Sequence, residues 1–181
     1  MSEALKTAYA SAPVNKIVLD TFEFHHQGFT DDQGIVRPWR FVSTLTSTEA
    51  IEATLEATAP VDAGKVVRFE PAPISAKHPE RNDQGYTDFP ISLGDVTMAL
   101  EEELDKALLH PGELKVYRRL YLQNLDTGEI TGPENVPFEW TLEGISNKDG
   151  QMNATATLVD VVNRPFPYLL YTPDFAPGLV R

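Results

Sequence analysis

Apolar and polar residues alternate along Lys16-Ile17-Val18-Leu19-Asp20-Thr21-Phe22-Glu23-Phe24, the period of two that sends successive side chains to opposite faces of a strand. Ile17, Leu19, Thr21 and Glu23 share one face; Val18, Phe22 and Phe24 share the other. Asp31-Asp32-Gln33-Gly34 is a turn, and Arg37 to Thr46 reads as the returning strand of a hairpin. The same reading gives strands at Gly64 to Pro71, Pro90 to Leu93 and Leu114 to Leu122, and at Phe138 to Ile145 and Met152 to Asp160. Asp149-Gly150 joins the last two as a tight hairpin. Ser47 to Ala59 mixes Ala, Glu and Thr and fits either a short helix or a polar loop. Pro71 to Phe89 is polar and punctuated by proline, a loop of the length at which loops (beyond about 15 residues) are usually functional or make contacts.

The period changes to that of a helix between Val96 and Leu109. Leu100, Leu104, Ala107 and Leu108 form an apolar stripe, with Glu101, Glu102, Glu103, Asp105 and Lys106 over much of the rest. Asp95, or Ser92 with Asp95 three residues on, supplies the N-cap, and His110-Pro111-Gly112 ends the helix. Ser2 to Ser11 holds helix-forming residues and stops before Pro13. The expected fold is therefore mainly β, in the α+β sense: an antiparallel β-barrel or sandwich with one central helix at about 96–109. It divides into an N-terminal arm or short helix over 1–13, a β-rich domain over 14–162 and an extended arm over 163–181.

That arm is the most unusual part of the chain. Asp160 to Leu179 contains four prolines and four aromatic residues. Proline fixes φ and removes a backbone donor, so the segment runs extended with an interrupted hydrogen-bonding edge. Its rings need a surface to bury them, either the chain's own barrel or a neighbouring subunit. Asn163, Arg164, Pro165, Phe166, Pro167, Tyr168, Tyr171, Phe175 and Leu179 are the candidate assembly residues.

Composition narrows the choice of function. The chain has 181 residues, 41% of them hydrophobic and 23% charged, enough for one domain with a true core. Its net charge of −12 lacks the basic footprint of a nucleic-acid binder, although Lys115, Arg118 and Arg119 could form a local basic patch. The absence of cysteine removes disulfides, thiolate metal sites and cysteine nucleophiles. Met1 to Pro13 is polar and alanine-rich, unlike a signal peptide, and no stretch approaches the ~20 apolar residues of a membrane span, so a soluble protein made in a cytoplasm is expected.

No chemistry converges. His25 and His26, adjacent on a strand, point to opposite faces and cannot both reach one metal; His78 and His110 stand apart. Ser43, Ser92 and Ser146 lack the G-x-S-x-G frame. Asp31-Asp32-Gln33-Gly34 lacks the spacing of a calcium loop. Glu101, Glu102 and Glu103 fan over about 200° of a helix and form a solvated face. Tyr117, Tyr121, Phe138 and Trp140 sit at strand spacing, as core or sheet-face residues do. No enzyme, cofactor, metal or catalytic set is expected.

Four blocks carry a resemblance: Ile91-Ser92-Leu93-Gly94-Asp95-Val96; Val116 to Leu122; Asp160-Val161-Val162-Asn163-Arg164-Pro165-Phe166-Pro167; and Tyr171 to Leu179. With the opening pair Phe22 to His26 and Arg37 to Val42, they resemble a family of uncharacterised proteins of tailed bacteriophages and prophages, whose genes lie just after the tape-measure gene. The match covers most of the chain beyond residue 14, and Asn163-Arg164-Pro165-Phe166-Pro167 is its most specific part. The order of elements also resembles, more weakly, the N-terminal domain of the lambda minor tail protein L; the cysteine-rich C-terminal region of that protein has no counterpart here.

The resemblance implies a structural protein of the tail tip, or baseplate, of a long flexible tail. It implies a ring or hub subunit in the virion, between the tail tube or distal tail protein and tape measure on one side and the receptor-binding central fibre on the other. The partners implied are further copies of the chain, three to a ring or alternatively six, and the neighbouring tail-tip proteins; DNA is met only as it passes through the lumen. The alternatives are a receptor- or carbohydrate-binding β module using Trp39 and Trp140, and a tail-associated hydrolase.

Overall fold

A computed structural model of the chain describes residues 3–11, 14–31, 33–76, 88–94, 110, 112–137, 139–148 and 151–157. Among the described residues one helix, α1 (Glu3–Ser11), precedes ten strands: β1 (Lys16–His25), β2 (Trp39–Ser43), β3 (Ile51–Thr54), β4 (Val66–Ala72), β5 (Ile74–Ala76), β6 (Phe89–Leu93), β7 (Lys115–Asn124), β8 (Ile130–Thr131), β9 (Glu139–Lys148) and β10 (Gln151–Thr157). The protein is mainly β, as its residue pattern predicts.

The strands form one sheet in the order β3-β4-β2-β1-β7-β9-β10-β6-β5, with β8 added to β7. Strand β4, next to one end of that path, is joined directly to β5 at the other end. Only Pro73 separates β4, which pairs with β2, from β5, which pairs with β6. Proline cannot donate to a ladder, so the chain changes partners there and the sheet closes into a barrel. At this seam the Ser43 hydroxyl donates to the Ile74 carbonyl at 2.8 Å and the Thr44 N–H to the Ala72 carbonyl at 2.9 Å.

One face of each barrel strand points inward. Phe22 and Phe24 from β1, Phe41 from β2, Ile74 from β5, Ile91 and Leu93 from β6, Val116 from β7, Trp140 and Leu142 from β9, and Met152 and Ala154 from β10 meet in a single buried cluster. Phe89 and Trp140 pack edge to face at 4.7 Å. A second cluster lies outside the barrel wall, where Leu19, Val42 and Tyr121 are covered by Ile51, Ala53, Val67 and Phe69 of the β3–β4 hairpin. Strand β1 is thus buried on both faces, and Leu19, Thr21, Phe22 and Glu23 are all solvent-free. In a third cluster, Leu5 of α1 sits on Val18, Leu120 and Leu122.

Four details differ from the pattern-based expectation. Ser47 to Ala59 is neither helix nor plain loop, since it contains β3. The segment after Pro71 begins as strand, completing β4 and forming β5, before residues 77–87. The sheet is mixed, because β2 and β4 run parallel, with Phe41 opposite Glu70 and Ser43 opposite Ala72. Strand β8 was not foreseen. The helix expected at 96–109, the Asp149-Gly150 turn and the arm over 163–181 lie outside the described residues, although the β9–β10 pairing on either side of that turn is described.

Candidate functional site

The register of β1 against β7 puts Thr21 opposite Arg119 and Glu23 opposite Tyr117, and β2 adds Arg40 opposite Glu23. These side chains share the outer face of the barrel wall, beside the β3–β4 cluster, and build a network of charges. Arg119, wholly buried, donates from Nε and Nη2 to the two oxygens of Glu56 at 2.8 Å each and from Nη1 to Glu23. Arg40 donates from Nε to Glu23 at 3.0 Å and from Nη2 to Asp62 at 2.9 Å, and Lys65 also reaches Asp62 at 3.0 Å. At the open side Lys115 pairs with Glu139 at 2.6 Å, and the Tyr117 hydroxyl donates to the same carboxylate. The Arg119 guanidinium lies 5.6 Å from the Tyr117 ring centre.

The charges of this network balance: Glu23, Glu56, Asp62 and Glu139 face Arg40, Lys65, Arg119 and Lys115. Burial disfavours the Glu23 carboxylate, yet His25, Arg119 and Arg40 outweigh it and hold its pKa below the ordinary 4.5. Hydrogen bonds from Lys65 and Arg40 lower Asp62, and those from Lys115 and Tyr117 lower Glu139. Burial, followed by the Glu139 contact, raises Tyr117. Burial opposes the Arg119 charge, but Glu56 and Glu23 more than restore it. Every carboxylate here is engaged by a cation. The arrangement ties β1, β2 and β7 to the segment around Glu56 and Asp62.

The residues singled out in the sequence fall out as follows. Lys115, Arg118 and Arg119 do not form a basic patch. Arg119 is buried in the network, Lys115 is neutralised by Glu139, and Arg118 points to the other face, where it grips Asp20 with two hydrogen bonds of 2.8 and 2.6 Å. His25 and His26 do diverge. His26 is buried, accepting the Gly28 N–H on Nδ1 at 2.9 Å. His25 Nε2 lies 3.3 Å from Glu23 without a well-aligned hydrogen bond and packs edge-on against Tyr117 at 5.0 Å. Among the described residues no group of His, Asp or Glu is arranged to hold a metal ion. Trp140 is core and Trp39 is stacked on Phe41, so the pair forms no joint platform. Asn163 to Leu179 lie outside the described residues.

The outer surface has its own features. Ser75, Ser92, Asn153 and Ser146 stand side by side across β5, β6, β10 and β9 and line a shallow open trough of about 310 Å³ with Pro90, Gly144 and Thr155. Val14, Ile17 and Leu125 are exposed near one end of the β1–β7 pair, Val14 by 97%, while Ile35 and Val36 are exposed on the β1–β2 connection. Among the described residues no helix is long and apolar enough to cross a membrane.

The described residues thus combine a β-barrel with a self-neutralised charge network on its outer face. The profile of DUF1833, a domain of unknown function, matches residues 4–171, and the chain belongs to that family. No curated protein matches the chain.

Proposed function

We propose that this protein is a structural subunit of a bacteriophage tail tip, assembling with further copies into a ring or hub between the tail tube and tape measure and the central fibre. The observation that carries the reading is the filled barrel. Side chains between Phe22 and Ala156 pack its interior, and in this reading the rings of the proline-aromatic arm are buried on a neighbouring copy. The family match runs through Tyr171 and so takes in the Asn163-to-Tyr168 element. Heterologous contacts, in which one surface meets a different surface of the next copy, close rings of this kind. The balanced network leaves the net charge of −12 to the rest of the chain, a sign suited to a subunit beside a lumen through which DNA passes without sticking.

Deleting Asn163 to Arg181 in the gene is expected to stop incorporation into particles while the remaining domain stays soluble. Particles that assemble normal tail tips around the shortened chain overturn the reading.

A further inference from the structure

We infer that the trough across β5, β6, β10 and β9 is a binding site for a neutral, hydroxyl-rich ligand, a short extended oligosaccharide. The inference does not depend on the assembly proposed above.

Strand register sets the polar lining. Ser75 stands opposite Ser92, Ser92 opposite Asn153, and Asn153 opposite Ser146. Four polar side chains therefore form one row across four strands, on the face away from the buried cluster to which Ile74, Ile91, Met152 and Ala154 belong. A cross-strand spacing of ~4.8 Å makes the row about 14 Å long. Thr155, opposite Pro90, flanks it. Between the Asn153 and Thr155 pairings β9 carries one residue more than β10, and this bulge includes Gly144 at a φ of +62°. A Cβ on Gly144 would meet nothing within 4 Å, so the bulge leaves open space beside the row.

Two features of this lining point to a ligand and to its chemistry. The first is unused hydrogen-bonding capacity. Elsewhere in the described fold such side chains are engaged: Thr21 donates to the Arg119 carbonyl, Ser43 to the Ile74 carbonyl and Asn135 to the Arg118 carbonyl. In the trough the side chains of Ser75, Ser92, Asn153 and Thr155 make no hydrogen bond among the described residues, and the Ser146 hydroxyl makes only a long one, 3.5 Å, to the Asn153 carbonyl. The second is the absence of charge. In a chain of net charge −12, none of the described residues that line the trough is ionisable.

Hydroxyls and carboxamides both donate and accept, so they match ligand groups that do the same. A charged ligand finds no counter-charge here, and an apolar one would take these polar groups out of water without replacing their bonds. Sugar hydroxyls satisfy the row, and the Pro90 ring offers apolar surface to the C–H face of a sugar. A straight row on an open sheet face suits an extended chain better than a coiled one. Trp39 and Trp140 take no part, since one is stacked on Phe41 and the other lies in the core.

The test uses the full chain and ligand-observed saturation-transfer NMR. Cellotetraose, extended and neutral, is titrated beside maltotetraose, which coils, and tetragalacturonate, which is anionic. Cellotetraose should bind in the millimolar range, more tightly than maltotetraose, and tetragalacturonate should show no transfer. Ser92→Ala/Asn153→Ala should weaken cellotetraose binding about tenfold, the equivalent of two lost hydrogen bonds, with an unchanged circular-dichroism spectrum. Should that variant fail to fold, Ser75→Ala/Ser146→Ala, at the ends of the row, is expected to weaken binding severalfold. Absence of transfer to cellotetraose overturns the inference, and a trough covered by another part of the chain or by a second copy gives that outcome. Equal binding of tetragalacturonate, or an affinity unchanged in a folded variant, overturns it as well.

Discussion

Arg119 ties the barrel wall to the segment beyond β3, joining Glu23 on β1 to Glu56. Removing one partner of a buried ion set leaves the others desolvated and unpaired, which costs about 3–5 kcal/mol. Arg119→Met is therefore expected to lower the urea midpoint by that equivalent, whereas adding Glu23→Gln and Glu56→Gln to it restores part of the loss. A midpoint unchanged by Arg119→Met would show that the network is incidental. The carboxylates also set an acid limit. The folded-state pKa values of Glu23, Asp62 and Glu139 lie below their ordinary values. Their contribution is complete above about pH 4.5 and is lost as pH falls through the depressed values, because the unfolded chain binds protons first. Stability followed by denaturant titration from pH 7 to pH 3 should hold level and then drop below that point, and Glu23→Gln should flatten the drop. The alternation in β1 and β7 put Glu23 and Arg119 on definite faces. Their meeting was not legible, since neither residue pattern says that β7 pairs with β1 or that Glu56 turns back over them.

The long strands were visible because each carries its own alternating pattern: Lys16 to Phe24, Leu114 to Leu122 and Met152 to Asp160 need no context to be read. The short ones were not. Ile51-Glu52-Ala53-Thr54 has two buried positions and no flanking signal, Ile74-Ser75-Ala76 follows a proline, and β8 has two residues. Such strands exist because a neighbour pairs with them, so tertiary context overrides weak local preference. The parallel β2–β4 pair and the closure at Pro73 were hidden for the same reason. One connection does have a local requirement. Gly132, between β8 and β9, has φ of +134°, and a Cβ there would stand 2.9 Å from the Tyr121 ring and 3.1 Å from the Glu134 nitrogen. Gly132→Ala should therefore destabilise the fold by about 1–3 kcal/mol, read as a lower melting temperature with an unchanged circular-dichroism spectrum in the cold. A full-stability alanine variant would contradict the conformation assigned to this turn.

Taken as one object, the described residues form a barrel with a packed interior and a balanced charge network, and the sequence adds a proline- and aromatic-rich segment after it. The class of fold and the oddness of the arm could both be read from the amino-acid order, because proline and aromatic residues in alternation have few physical uses. What surface buries that segment could not, since an apolar composition does not name the surface it meets. Sedimentation of the full chain beside residues 1–162 tests the central claim most directly. The full chain should sediment as a closed ring at a multiple of 20.1 kDa, and the shortened chain as a folded single copy. A full chain that remains a single copy at every concentration, or a shortened chain that keeps the same multiple, would contradict it.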